Sequence, residues 1–281
     1  MGPLPVKVAN RLIAGIKKFQ PILNNAKSRD VNEADTVIIV TDMLNEVFGY
    51  DKYKEITSEF SIRSTYCDLA IKLDGKLEYL IEVKAIGLEL KENHVKQAVD
   101  YAANVGTDFV VLTNGNNWKV FKIAFNKPIE QELVLDIDFL KLNPRKNEDV
   151  EKISLISKEP WMKSSLYEYH SQKQALSKYF LSAIILNDPV IDAIRRELRK
   201  IVPDVRVSAE QIKEVISMEV LKREVIEGEK ADEAQKKVLK KLNKISKTKM
   251  QKPNNVPNED NTETSESNES ENQVLFEETV Q

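Results

Sequence analysis

Two runs of alternating residues around Asp74-Gly75 constrain the fold of this chain more than any other sequence feature. Residues 60–86 show β-branched alternation across this dipeptide, and an Asp-Gly pair between such runs is typical of a β-hairpin. In the second strand, alternation places Glu82 and Lys84 on one face and apolar residues on the other. The sequence therefore predicts a hairpin from which two ionisable groups project on the same side.

The turn decides whether Asp68, on the first strand, shares that side. A two-residue turn at Asp74-Gly75 pairs Cys67 with Glu82 and sends Asp68 to the opposite face. A three-residue loop that starts at Leu73, with a left-handed glycine in a bulge, instead makes Asp68 and Glu82 diagonal neighbours on one face. Their Cβ atoms would then lie about 7–8 Å apart. Of these two turns, a shared site requires the longer one.

Helical and strand patterns flank the hairpin. Residues 33–48 and 92–104 carry apolar side chains at the spacing of one helical face. Residues 108–113 and 118–123 indicate two further strands joined by a turn at Asn114-Gly115. The order α-β-β-α-β-β predicts an α/β fold, a small mixed sheet flanked by helices.

The C-terminal part of the sequence indicates helices only. One helix is predicted over 174–186, another begins at Asp188-Pro189, and a long one begins at a Ser208/Gln211 capping box. The tail is rich in Asn, Ser, Thr, Glu and Pro, so we expect it to be disordered. The predicted organisation is an N-terminal extension (1–30), an α/β domain (31–140), an all-helical extension (141–248) and a disordered acidic tail (249–281).

Composition limits the metal chemistry open to the chain. One cysteine, Cys67, and two histidines, His94 and His170, exclude an internal disulfide and a Cys/His zinc cluster. Any metal must be held by carboxylates, which suits Mg²⁺ or Mn²⁺.

Asp68, Glu82 and Lys84 together suit the hydrolysis of phosphodiesters. Two carboxylates hold a hard cation, while the ammonium orients a water and neutralises charge that develops on phosphorus. The alternative is that the three residues only decorate the solvated face of a hairpin. Gln97 and Tyr101 share one side of the following helix, where an amide and a phenol could hold a phosphate or a DNA strand.

Glu46 is a further candidate ligand. It falls in the last turn of its predicted helix, where the helix dipole disfavours a carboxylate, so a nearby cation would explain it. The alternative is a plain surface glutamate.

Charge is distributed unevenly along the sequence. Residues 251–281 contain one Lys against eight Asp and Glu, a net of -7, whereas residues 1–250 contain 41 basic against 37 acidic residues, a net of +4. This permits a polyanionic partner. A cluster of four basic residues, in a helix that could equally be solvated, is the candidate phosphate contact: Arg195, Arg196, Arg199 and Lys200. No run of about 20 apolar residues or cleavable leader is visible, so we expect a cytoplasmic protein without a membrane partner.

Five elements in order resemble a known family: Asp68, Ile81-Glu-Val-Lys84, Gln97-Ala-Val-Asp-Tyr101, Phe109-Val-Val-Leu-Thr-Asn-Gly115 and Trp118-Lys-Val-Phe121. This series resembles the N-terminal nuclease domain of type I restriction endonuclease R subunits, a branch of the PD-(D/E)xK superfamily that adds a Gln-x-x-x-Tyr motif. The resemblance covers roughly residues 31–123, and residues 186–228 are similar to the helical extension of short stand-alone relatives. One departure is Cys67, where the family usually has proline.

The resemblance implies a restriction-endonuclease-like core and a Mg²⁺- or Mn²⁺-dependent DNA nuclease, in restriction or defence. Asp68, Glu82 and Glu46 would be metal ligands, Lys84 the catalytic lysine, and Gln97 and Tyr101 the helix pair near the DNA. The sequence has no G-x-x-x-x-G-K-[ST] loop, so an ATP-driven motor would have to come from a restriction or helicase subunit. The alternative function is a non-catalytic nucleic-acid-binding or regulatory module that uses its C-terminal helices for assembly, for example as a homo-oligomer.

Overall fold

In the computed structural model, which describes residues 3–62, 65–125 and 128–250, the chain divides after Ser177 into two compact units. We call residues up to Ser177 the first unit and those from Lys178 the second unit. The predicted boundary at residue 140 therefore differs from the observed division. The prediction of a disordered tail concerns residues that lie, beyond Met250, outside the described part of the chain.

The first unit is a mixed α/β structure. Its elements are α1 (Val6–Ser28), α2 (Glu33–Glu46), β1 (Ile56–Ile62), β2 (Thr65–Leu73), β3 (Lys76–Val83), α3 (Glu92–Val105), β4 (Phe109–Thr113), β5 (Asn117–Ala124), β6 (Glu130–Asp138), α4 (Asn147–Ser154), α5 (Lys158–Met162) and α6 (Ser165–Ala175). The six strands form one sheet in chain order. β3 and β4 are parallel, because α3 crosses over between them, and all other neighbours are antiparallel.

The α/β prediction is confirmed, but the predicted order omitted the outer strands β1 and β6. The N-terminal residues are also not an extension, since α1 buries Leu12, Ile16 and Leu23 completely in the main apolar cluster. Helices α4 to α6 add Ile153 and Trp161 to the same cluster. These helices belong to the first unit because their apolar faces pack on the sheet.

Each face of the sheet carries its own apolar cluster, as the alternation of side chains along a strand requires. One cluster joins α1, α2 and α4–α6 to the face that includes Ile81 and Val83. The other joins α3 to the face that includes Leu80 and Ala70. Glu82 lies two residues after Leu80, so it projects on the side that α3 covers. Cys67 and Ala70 both pack in the α3 cluster, so strict alternation is interrupted in β2 beside Asp68.

The hairpin turn differs from the three-residue loop that we expected for a shared site. Leu73 pairs with Lys76, so the turn is the two-residue one, and Asp74 and Gly75 both adopt positive φ (51° and 78°), as a type I′ turn demands. Ile71, however, pairs with Tyr79 and the next residue, Lys72, with Leu77. Glu78 is therefore an extra residue in β3, a β-bulge that shifts the register by one.

This bulge brings Asp68 next to the end of β3 that carries Glu82. Beyond it, Leu69 pairs with Ile81, the last pair of this ladder, and the adjacent Asp68 carboxylate accepts a hydrogen bond from the backbone N–H of Val83. Contacts from outside the hairpin hold the bulge: the Thr107 hydroxyl donates to the Glu78 carbonyl (2.7 Å), and the Trp161 indole donates to its carboxylate (3.1 Å). The two carboxylates thus come close together through a bulge that the hairpin sequence alone did not predict.

The second unit is helical in its described part. It contains α7 (Lys178–Ile185), α8 (Asp188–Ile201), α9 (Ala209–Val215), a π-helical turn (Ile216–Val220), α10 (Arg223–Ile226) and α11 (Glu229–Met250). The Ser208/Gln211 capping box is present at the start of α9. The helix predicted over 174–186 is broken between α6 and α7, and the long one predicted from Ser208 is broken after α9. Among the described helices, none is long and apolar enough to span a bilayer.

Candidate active site

Glu82 and Lys84 form a buried ion pair at the end of β3. The Lys84 ammonium donates a 2.7 Å hydrogen bond to Glu82 Oε1, and the two side chains are only 12% and 2% exposed. Glu82 Oε2 is equally buried but has no hydrogen-bond partner. A buried carboxylate oxygen without a partner is costly, so this site lacks one donor or cation for full satisfaction.

Asp68 reaches the same place from β2. Its Oδ2 accepts a 2.7 Å hydrogen bond from the backbone N–H of Val83, which fixes the carboxylate against the residue between Glu82 and Lys84. Asp68 is half-buried. The pattern Glu-x-Lys on one strand and Asp on its neighbour is therefore one cluster, which we call the carboxylate–lysine site: Asp68, Glu82 and Lys84.

A third carboxylate approaches from the first turn of α2. Glu33 Oε2 lies 3.7 Å from the Lys84 ammonium, so this lysine stands between two glutamates. The backbone N–H of Ile86, in the loop after β3, donates to the Thr36 hydroxyl (3.2 Å) and ties the loop to the start of α2. That tie is what brings Glu33 to the site.

Burial and repulsion between carboxylates raise the pKa of both Asp68 and Glu82. Burial raises the pKa of Glu82 to about 7, with a further contribution from Asp68, although the hydrogen bond from Lys84 acts in the opposite direction. Burial also raises the pKa of Asp68, more than the Val83 N–H and the charge of Lys84 lower it. Such crowding of acids in a low-dielectric setting is typical of a site that binds a cation.

Lys84 keeps its charge. Burial alone would lower its pKa, but the hydrogen bond and the charge of Glu82 outweigh burial, and the pKa lies above its ordinary value. Lys84 is therefore an ammonium at neutral pH, suited to stabilising negative charge rather than to accepting a proton. Burial raises the pKa of the neighbouring Cys67 thiol to about 12, which excludes this residue as a thiolate nucleophile.

Gln97 and Tyr101 are placed together on α3, as their spacing predicts. The Gln97 amide donates a 3.1 Å hydrogen bond to the Tyr101 hydroxyl. Gln97 is exposed and Tyr101 half-buried, and α3 covers the face from which Asp68 and Glu82 project. Within the described part of the chain, no hydrogen bond or ion pair joins these two side chains to the carboxylate–lysine site.

The structure does not bring Glu46 to the site. Glu33 and Glu46 lie at opposite ends of α2, about 20 Å apart along the helix axis. Glu46 is half-exposed and ion-paired with Lys18 of α1. That ammonium explains why a carboxylate is tolerated in the last turn of the helix, which was the observation behind the metal-ligand prediction.

The four basic residues predicted to contact phosphate all lie in the second half of α8, in the second unit. Two of them are already paired within the helix: Arg195 with Asp192 (2.9 Å) and Lys200 with Glu197 (2.7 Å). Arg195 and Lys200 are therefore partly neutralised within α8, so fewer of the four cations are available to contact phosphate than the sequence alone suggested.

Sequence reasoning missed two acids near the site. Glu33 begins a helix, where a carboxylate is ordinary, so nothing local distinguished it. The register of β1 places Glu59 opposite Asp68, where its charge contributes to raising the pKa of Asp68. Glu59 adopts a positive φ of 47°, which is rare for a residue with a side chain.

Comparison with known proteins gives one family. Residues 38–136 match the family model of the type I restriction enzyme R protein N terminus. The predicted resemblance is confirmed over these residues, and the similarity expected for residues 186–228 stays a prediction. The matched segment runs from α2 to β6 and contains the carboxylate–lysine site, Gln97 and Tyr101, whereas Glu33 precedes it. Comparison with curated proteins and with solved structures gave no significant match.

The donor set of the site fits a hard divalent cation. Glu82 Oε2 is a buried oxygen without a partner, and the Asp68 carboxylate, bound to the backbone N–H of Val83, is close enough for its charge to raise the pKa of Glu82. Oxygen ligands of this kind suit Mg²⁺ or Mn²⁺. Among the described residues, however, no group of three or more His, Cys, Asp or Glu side chains is arranged to hold a metal. A cation here would need its remaining ligands from water, backbone or substrate, as Mg²⁺ commonly does.

Proposed function

We propose that the first unit is a Mg²⁺- or Mn²⁺-dependent DNA nuclease that hydrolyses phosphodiester bonds at a PD-(D/E)xK site in a restriction-endonuclease-like core. The match to the N terminus of type I restriction enzyme R proteins supports a nuclease-related role. The observation that carries the proposal is the unpartnered, buried Glu82 Oε2 beside Asp68 and the charged Lys84. A surface hairpin with merely solvated charges would not bury a carboxylate oxygen in this way.

Each residue of the site has a distinct task in this proposal. Asp68 and Glu82 would hold the cation, which supplies positive charge for the phosphate oxygens and lowers the pKa of an attacking water. Lys84, held by Glu82, aims a fixed positive charge at the region where negative charge develops on phosphorus. Glu33 limits the motion of the Lys84 ammonium from its other side. Gln97 and Tyr101 present an amide and a phenol for the DNA backbone.

The proposed partners are DNA and, for any ATP-driven movement along DNA, a separate motor subunit. The sequence contains no G-x-x-x-x-G-K-[ST] phosphate loop. A restriction or helicase subunit is the kind of partner that would supply it.

A second candidate is a binding or regulatory module that keeps the fold without cleaving DNA. The observation that favours it is the absence, among the described side chains, of a three-acid metal cluster. In this case the Glu82–Lys84 pair would be a structural ion pair, and no cation would be needed.

Cleavage of circular and linear DNA by the full chain separates the two. Wild type, Lys84→Ala and Glu46→Gln are incubated with Mg²⁺ or Mn²⁺, each beside an EDTA control. The nuclease proposal predicts metal-dependent cleavage by wild type and Glu46→Gln, and cleavage slowed by about 10²–10³-fold in Lys84→Ala. Products from the circular substrate would identify an endonuclease. DNA binding without cleavage under all conditions would favour the module.

A further inference from the structure

The positive charge of the chain is concentrated far along the sequence from the candidate active site. Residues 1–177 contain 24 Lys and Arg against 25 Asp and Glu, a net of -1. Residues 178–250 contain 17 against 12, a net of +5. A protein that binds a polyanion gains most of its sequence-independent affinity from Lys and Arg contacts to phosphate. The first unit, in which several acids surround Lys84, has no charge surplus with which to do this.

The surplus of the second unit lies in the last part of α11. Residues 235–250 contain seven lysines and no acidic residue. Among the side chains that the structure describes there, four lysines are exposed, and we call them the lysine face: Lys236, Lys237, Lys240 and Lys241. None of the four is ion-paired with a described residue; Lys241 additionally lies over the Phe180 ring at 5.8 Å.

An apolar stripe of α11 holds the helix in the second unit. Ala231, Ala234 and Val238 recur at helical spacing and are buried, and α11 packs on α7. The lysine face is thus exposed on a helix that is anchored through a separate, apolar stripe. The lysines form two i,i+4 rows, and like charges at this spacing destabilise a helix unless an anion neutralises them. By contrast, two of the four cations of α8 already have acidic partners in their own helix.

We propose that the lysine face of α11 is a sequence-independent contact surface for the phosphate backbone of duplex DNA. It supplies the electrostatic attraction that the first unit lacks. This inference rests on the proposed function for the identity of the polyanion, but it assigns the binding charge to a helix with no part in catalysis. Lysine suits this role because a flexible, point-like charge adapts to phosphates without demanding a fixed geometry.

The test is the salt dependence of DNA binding by the full chain in EDTA, where metal-dependent cleavage is absent. A labelled duplex of random sequence is titrated between 50 and 200 mM salt. The test variant replaces Lys236, Lys237, Lys240 and Lys241 by Gln, which retains good helix propensity. A second variant replaces them by Arg and keeps the charge. The matched control removes four other exposed cations, in the first unit, that are not ion-paired with described residues: Arg145, Lys146, Lys152 and Lys163.

Each phosphate contact contributes about 0.9 to the slope of log affinity against log salt, so the Gln variant should lose about 3–4 of that slope. Over this fourfold range of salt, wild type should then lose about 100-fold more affinity than the Gln variant does. The Arg variant and the control quartet should keep the wild-type slope, and circular dichroism should show equal helicity for all four proteins.

Three results would overturn the proposal. The first is a Gln variant with the wild-type slope, and the second is a control quartet that lowers the slope equally, which would indicate a net-charge effect. The third is that replacing the lysines by Gln lowers the salt slope only after residues 251–281 are deleted. That result would mean that the acidic segment, net -7, occupies the lysine face in the full chain. Binding through the lysine face without any cleavage in Mg²⁺ would leave this inference standing and remove the nuclease proposal instead.

Discussion

Glu82→Gln should change the pH dependence of stability in a direction that the structure fixes. Burial raises the pKa of Glu82 to about 7 from the ordinary 4.5, so between these values the folded protein keeps a proton that the unfolded chain releases. The free energy of unfolding therefore falls as pH rises through this range, by about 3 kcal/mol in total from this one residue. Glutamine cannot ionise, so Glu82→Gln should escape this loss. Its free energy of unfolding, relative to wild type, should rise by about 3 kcal/mol between pH 4 and pH 8.

Denaturant unfolding in EDTA, at pH steps from 4 to 8, measures this difference. The two tryptophans, Trp118 and Trp161, both lie in the first unit, so their fluorescence reports the unfolding of that unit. Glu159→Gln is a control with the opposite sign. Hydrogen bonds from Arg11 hold the pKa of Glu159 below its usual value, so its stabilising contribution is present at neutral pH and lost in acid.

The reasoning would be refuted if the difference in the free energy of unfolding between Glu82→Gln and wild type did not change from pH 4 to pH 8. It would mean that Glu82 is ionised in the folded protein as readily as in the unfolded chain, and that its Oε2 is not short of a partner. A cation bound to the folded state should reverse the wild-type trend, since ligand binding adds stability and requires the ionised carboxylate. Adding Mn²⁺ should thus stabilise wild type more at pH 8 than at pH 5, with a much smaller effect on Glu82→Gln.

Four further substitutions test individual residues. Lys84→Ala should lower the cleavage rate by about 10²–10³-fold, because it removes a fixed charge at the reacting phosphate, while DNA affinity measured in EDTA stays nearly unchanged; an active Lys84→Ala would remove this lysine from the chemistry. Glu33→Gln should lower the cleavage rate by about 10- to 100-fold, because the Lys84 ammonium is then held less firmly. Glu46→Gln should cleave like wild type. The reverse ranking in the same assay would identify Glu46 as the functional acid. Tyr101→Phe should lower cleavage but change the free energy of unfolding by no more than about 1 kcal/mol, since it removes only a half-exposed hydrogen bond from Gln97; a large loss of stability would make Tyr101 structural.

The hairpin shows how far local sequence reasoning extends. The alternation of residues and the Asp74-Gly75 turn predicted both strands, and they predicted that Glu82 and Lys84 lie on the same side of the second strand. The position of Asp68 depended on a bulge at Glu78, and the contacts that hold it come from Thr107 and Trp161, distant in the sequence. A one-residue shift reverses every side chain of a strand, so this detail required tertiary information.

The glutamates at the two ends of α2 show an error of the sequence-based prediction, which chose Glu46 and overlooked Glu33. Both Glu33 and Glu46 were visible in the sequence, and the helix dipole drew attention to Glu46 because its position was unfavourable. The unfavourable position was compensated by Lys18 of α1, an element that the sequence had suggested lay outside the fold. Glu33 became relevant only because the loop after β3 returns to the start of α2. The sequence of α2 alone predicts neither the ion pair with Lys18 nor the contact that brings Glu33 to the site.

The most direct test of the carboxylate–lysine site is a titration of the full chain with Mn²⁺, followed by electron paramagnetic resonance at pH 8. A cation shared by Asp68 and Glu82 predicts one bound Mn²⁺ per wild-type chain. It also predicts that binding is strongly weakened in Asp68→Asn and Glu82→Gln and retained in Glu46→Gln, with each variant shown to be folded by circular dichroism. Equal Mn²⁺ binding by wild type and Asp68→Asn, or no binding by wild type, would contradict the shared-cation site.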